Sequence, residues 1–133
     1  MRRSLLVAAA ILGGVAAAAG CVVPPVTPIG DPATAWAPEP TWDPSSNRIT
    51  FGLHVYWFDT STSTQTPMRD AAAYAKVTCD TATFYTESFT NHDGVATFSL
   101  GHCNGPDTAT VTVYRIDGSA PVPLPAPYSL SLT

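Results

Sequence analysis

Lysine occurs once in this chain, at Lys76, and five arginines accompany it against ten acidic residues. Two of the arginines, Arg2 and Arg3, sit at the extreme N-terminus. From Cys21 onward only Arg48, Arg69, Lys76 and Arg115 stand against the ten acids, a net charge of −6. Phosphate backbones are held by clustered lysine and arginine, so this composition excludes nucleic acid as an expected partner. An anionic lipid surface would repel the same stretch.

Catalytic motifs are also missing. There is no Gly-x-Ser-x-Gly elbow, no phosphate-binding glycine loop and no His-Glu-x-x-His. A metal centre on Cys79 and Cys103 would need two further ligands, and neither a Cys-x-x-Cys nor a His-x-x-x-His spacing supplies them. His54, His92 and His102 could join a serine only through the fold. His92 and His102 flank opposite ends of a predicted strand over 95–100, about 17–20 Å apart, which reads as two solvated turn histidines. The expectation is a protein without catalytic residues, metal or cofactor.

What is present begins at the N-terminus. Arg2 and Arg3 precede an apolar run over residues 5–19, which ends in Ala18-Ala19-Gly20-Cys21. A basic start, an apolar middle and small residues at the end are the parts of a secretory signal. Small residues running directly into a cysteine resemble the lipobox of bacterial lipoproteins, with Ala18 where that family usually carries leucine. The resemblance implies removal of residues 1–20 and fatty acyl chains, palmitate among them, on Cys21. The protein would then be held at the cell envelope, facing away from the cytoplasm, with the membrane as a partner through the anchor. Two or more acyl chains anchor stably where one binds marginally. Two alternatives stay open. The apolar run is shorter than the roughly 20 residues that span a bilayer comfortably, but it could remain as a membrane helix. A cut at the alanines around 16–19 would instead release a secreted protein.

The cysteine count is three. An odd number in an exported chain leaves one thiol to explain. Lipidation would use Cys21, and Cys79 could pair with Cys103 in an oxidising compartment. Closing that loop would contribute roughly 3–4 kcal/mol in the chain-entropy picture.

Seven prolines fall within residues 22–46. That density excludes helix and disfavours regular sheet, so residues 21–47 read as the lipidated cysteine and an extended spacer. Trp36 and Trp42 are unusual in a spacer. They are expected either to dock on the domain or to form a binding epitope.

A single domain is expected over residues 48–133. Ile49, Phe51, Leu53, Val55 and Trp57 alternate with Thr50, Gly52, His54, Tyr56 and Phe58, a period of two that predicts a strand with the first set inward. Residues 60–66 read as a polar loop and residues 68–74 could make a helical turn. Further strands are predicted with Ala75, Val77 and Cys79, then with Ala96, Phe98 and Leu100, then with Ala109, Val111 and Val113 facing inward. Others fall over 82–90 and 128–132. Asp93-Gly94 and Asp117-Gly118 mark turns. Six strands are predicted, with a seventh possible within 33–43, which argues for a small antiparallel β-sandwich.

Residues 68–79, 90–100 and 109–113 resemble bacterial immunoglobulin-like and transthyretin-like modules. The likeness lies in a turn glycine, Gly94, followed by Ala96, Phe98 and Leu100 and then by a Thr/Val-rich strand. The chain lacks the Gly-x-Pro-Val that often precedes the second strand, and its cysteine spacing is shorter than that of the antibody inter-sheet bond. The resemblance implies a fold used for adhesion, spacing and assembly, so a binding or structural role is expected. Envelope protein or glycan are the expected partners, and a small envelope enzyme or inhibitor is the rival reading. The candidate binding residues are His54, Tyr56 and Phe58 on the outer face of the first strand, together with Trp36 and Trp42.

Overall fold

The computed structural model describes residues 30–80, 82–105 and 107–133; Cys21 and the signal segment lie outside them. Nine strands are found among the described residues: β1 (Asp31–Trp36), β2 (Thr41–Asp43), β3 (Arg48–Asp59), β4 (Thr64–Pro67), β5 (Ala72–Thr78), β6 (Thr83–Phe89), β7 (Val95–Gly101), β8 (Thr108–Asp117) and β9 (Tyr128–Ser131). All pairings are antiparallel, and the strands form two sheets packed as a small β-sandwich. Among the described residues no helix is long and apolar enough to cross a membrane.

The first sheet is built around β3, whose 12 residues are long enough to take two short strands along each edge. β2 and β1 lie along one edge, against residues 48–50 and 53–58. β7 and β4 lie along the other, against residues 48–54 and 56–59. The second sheet has the order β9-β8-β5-β6. Between the sheets the alternating apolar positions meet. Ile49, Phe51, Leu53 and Val55 of β3 and Ala96, Phe98 and Leu100 of β7 are buried against Ala73, Ala75, Val77, Ala109, Val111 and Val113. Phe51 and Phe98 stack with ring centroids 4.7 Å apart. Trp57 shares the inward face but sits at its end, half-buried and packed on the core.

Paired structure starts at Asp31, well before Arg48, so residues 31–43 carry strands rather than spacer. The prolines that suggested otherwise occupy tolerant places. Ala37 N–H donates to the Gly52 carbonyl at 2.9 Å. By alternation, the nitrogen of Pro32 points away from β3, so its missing donor costs the ladder nothing. Pro38 and Pro40 fall in the gap between β1 and β2. The polar stretch expected as a loop over 60–66 is also shorter, because Thr64–Pro67 pairs with the far end of β3. The turn that remains is closed by the Asp59 carboxylate, which accepts from the Ser61 N–H and hydroxyl. Residues 68–74 form no helical turn: Met68 is buried and β5 begins at Ala72.

Cys79 follows β5 and Cys103 follows β7. They are disulfide-bonded with Cα atoms 5.8 Å apart. The bond therefore joins the two sheets at their ends, despite the short spacing. Along the edge formed by β1 and β9, the proline-rich stretch 121–127 links the two sheets. Thr34 of β1 donates its hydroxyl to the Pro123 carbonyl, and Tyr128 of β9 donates to the Glu39 carboxylate at 3.2 Å.

Candidate aromatic binding faces

Strand alternation sends every second side chain of each sheet outward, and both outer faces of this sandwich carry aromatic rings. On the first sheet these are the residues expected from sequence. His54 and Tyr56 have ring centroids 4.9 Å apart, and Tyr56 and Phe58 6.3 Å. All three are half-buried. Their flanks are formed by the cross-strand neighbours Ala35, Ala33 and Asp31 on one side and by Val95, Pro67 and Gln65 on the other.

Trp36 and Trp42 do not join them. Trp36 packs inward, edge-on to Phe51 at 5.4 Å and to Tyr128 at 6.4 Å. Trp42 packs on the core and donates its indole N–H to the Cys103 carbonyl at 2.9 Å. Both tryptophans fasten the edge strands β1 and β2 to the sandwich.

The outer face of the second sheet carries rings that are more exposed. Tyr74 and Lys76 of β5 lie between Glu87 and Tyr85 of β6 and Arg115 and Thr112 of β8. A register shift in β8 opposite Tyr74 and Ala75 inserts one extra residue there. A bulge of this kind turns two consecutive side chains to the same side, and here Tyr114 and Arg115 both face solvent. Tyr114 then lies 6.1 Å from Tyr85 and 6.4 Å from Tyr74. The Arg115 guanidinium sits 5.0 Å from the centre of the Tyr74 ring and is fixed by two contacts to Asp117, at 2.8 and 3.1 Å. The carboxylate of its cross-strand neighbour Glu87, as hydrogen-bond acceptor and as charge, together with partial burial, raises the Tyr74 phenol above the ordinary tyrosine value. Among the described residues there are four exposed large apolar side chains, and three belong to this sheet: Tyr85 (66% exposed), Phe89 (60%) and Tyr114 (42%).

The sequence did carry a signal for this second face. Tyr74 with Lys76, and Tyr85 with Glu87 and Phe89, are outward positions at period two, the mirror of the inward sets. The contribution of Tyr114 and Arg115 depends on the bulge, which arises only when β8 pairs with β5.

His92 and His102 lie at the two ends of β7. His92 is 3.5 Å from Asp93, and the His102 ring faces the Ser46 carbonyl at 3.3 Å. Among the described residues no group of three or more His, Cys, Asp or Glu could hold a metal ion. Compared with protein-family models, with curated proteins and with solved structures, the chain matches none.

Proposed function

We propose that the chain is a non-catalytic binding module of the cell envelope, tethered through a lipidated Cys21, with the outer face of its second sheet turned towards a protein partner. The observation that carries the reading is the Tyr85–Tyr114–Tyr74 cluster with Arg115 laid over it. Exposed apolar side chains gathered on one face mark interaction surfaces. Tyrosine and arginine, with tryptophan, are enriched at the energetic centre of protein interfaces. Arg115 is held in place by Asp117 and Tyr74, so little side-chain freedom remains to be lost on binding.

The anchor rests on the basic start, the apolar run and the Ala-Gly-Cys ending of residues 1–21. Export is consistent with the disulfide between the remaining two cysteines. The two-sheet antiparallel architecture supports an immunoglobulin-like or transthyretin-like fold.

The test is crosslinking in the native cells followed by mass spectrometry, comparing the wild type with a Tyr85→Ala/Tyr114→Ala double variant. A specific partner captured by the wild type and lost from the variant supports the reading. Equal capture of the same partner by both proteins overturns it. Fractionation of a Cys21→Ala variant tests the anchor separately: release from the membrane supports lipidation, and retention argues against it.

A further inference from the structure

On the opposite face of the sandwich, we infer a second site that takes a neutral, soluble polysaccharide chain. It is independent of the tyrosine face and stands or falls separately.

The outward positions of β3 run in one line: Thr50, Gly52, His54, Tyr56 and Phe58. The last three are the ring ladder. The rings are half-buried, and Trp36, Trp42 and Val122 pack on the core and not over them, while Pro123 is bonded to Thr34 on the inner side of β1. Ala33 and Ala35 beside Tyr56 and His54 are too short to cover the rings. At Gly52 the line sinks into a hollow of about 300 Å³. Pro38 and Glu39 line one side of it, Val95 and Thr97 the other, with Thr50 at its base. The hollow depends on glycine. The Ala37 carbonyl lies within the space that a Cβ at Gly52 would fill, so the link between β1 and β2 can bend in over the strand only here.

A sugar ring has apolar C–H faces and a rim of hydroxyls. It is held by aromatic rings under the faces and by hydroxyl or carboxylate groups at the rim. The site offers both in sequence along one strand. Rings occupy one end. At the other, the Thr41 and Thr50 hydroxyls stand 3.2 Å apart, with Thr97 lining the same hollow. The rings from His54 to Phe58 run about 14 Å at 3.4 Å per residue, up to the point where the Ala37 carbonyl bends over Gly52, and the hollow continues beyond it, which suits several linked sugars better than one.

Charge and ring geometry narrow the class. The borders of the face carry Asp31, Glu39 and Asp43 against Arg48 alone, so negative charge is in excess there. An anionic polymer would be repelled. Successive rings are inclined by 48° and 77°, so they form a turning platform that fits a free, twisted chain and not the flat surface of a crystalline polymer.

The experiment is native affinity electrophoresis of the full chain in detergent, through gels containing hydroxyethyl cellulose, laminarin, galactomannan or dextran, with alginate as the anionic comparison. Retardation by at least one neutral polymer is expected. Tyr56→Ala and Phe58→Ala, each checked by thermal melting, are expected to weaken it by about tenfold, and Tyr85→Ala to leave it unchanged. The inference is overturned if no neutral polymer retards the protein, if alginate retards it as strongly, or if both ladder variants migrate like the wild type while folded.

Discussion

The indole N–H of Trp42 donates to the carbonyl of Cys103 at 2.9 Å, which fastens the three-residue strand β2 to the loop that carries the disulfide. A strand that short has little pairing of its own, and the indole makes the edge and the covalent staple one unit. Trp42→Phe keeps most of the packing but leaves the carbonyl unpaired. The expected loss is about 1–3 kcal/mol, read from urea denaturation.

The disulfide closes a loop of 24 residues' separation and joins the two sheets. Replacing Cys79 and Cys103 together by alanine is expected to cost about 2–5 kcal/mol. Denaturation with and without reductant checks this: reductant should destabilise the wild type by a similar amount and leave the double variant unaffected.

Gly52→Ala drives a methyl group into the Ala37 carbonyl. The chain between β1 and β2 must move away, at a cost of about 1–3 kcal/mol. The displacement should appear locally. The Ala37 amide, which donates to Gly52, is expected to lose hydrogen-exchange protection well before amides of the second sheet.

Asp107 gives a pH prediction. Partial burial and the neighbouring Asp80, through a hydrogen bond and its charge, raise its carboxyl above the ordinary 3.8. A carboxyl raised on folding favours the folded state when protonated, and that contribution is lost as pH climbs from 3.8 through the folded value. Asp107→Asn is therefore expected to raise the melting temperature at pH 7 and to have little effect near pH 3. Asp43 and Asp59 have the opposite sign. Hydrogen bonds from Ser45 and Ser61 lower them, so their contribution is present above about 3.8 and fades as pH falls towards their folded values.

Tyr85→Ala separates binding from folding. The side chain is 66% exposed, so stability should change by no more than about 0.5 kcal/mol, measured by chemical denaturation, while the proposed capture of a partner by the Tyr85–Tyr114 face is reduced.

Much of the sandwich was legible in residue order. The alternation from Ile49 to Val55 and those around Val77, Phe98 and Val111 set which side chains are buried, and the same alternation placed His54, Tyr56 and Phe58 on the outside. A strand within 33–43 and docking of Trp36 and Trp42 were open readings of the sequence, but the spacer was carried on to residue 47 because proline content says nothing of which way a given nitrogen faces. Pro32 is harmless only because β3 lies on its other side. Thr64–Pro67 was misread because a polar, repetitive stretch pairs when a neighbouring strand is long enough to reach it. The hollow beside Gly52 needs Ala37 from another strand, and the outward turn of Tyr114 with Arg115 needs a register shift, so neither can be seen in one stretch of sequence.

The early start of β1 also limits how far the domain could travel from a lipidated Cys21. Only nine residues separate that cysteine from Asp31, a leash of about 30 Å even when fully drawn out. Asp31 pairs with Phe58, at the end of β3 remote from the Arg48–Gly101 pair and the disulfide loop. A short leash at that corner would stand the strands on end, with the disulfide loop uppermost. The tyrosine face and the ring ladder would then look sideways in opposite directions, so that one molecule could touch a neighbour in the membrane plane with one flank while holding a polymer strand against the other.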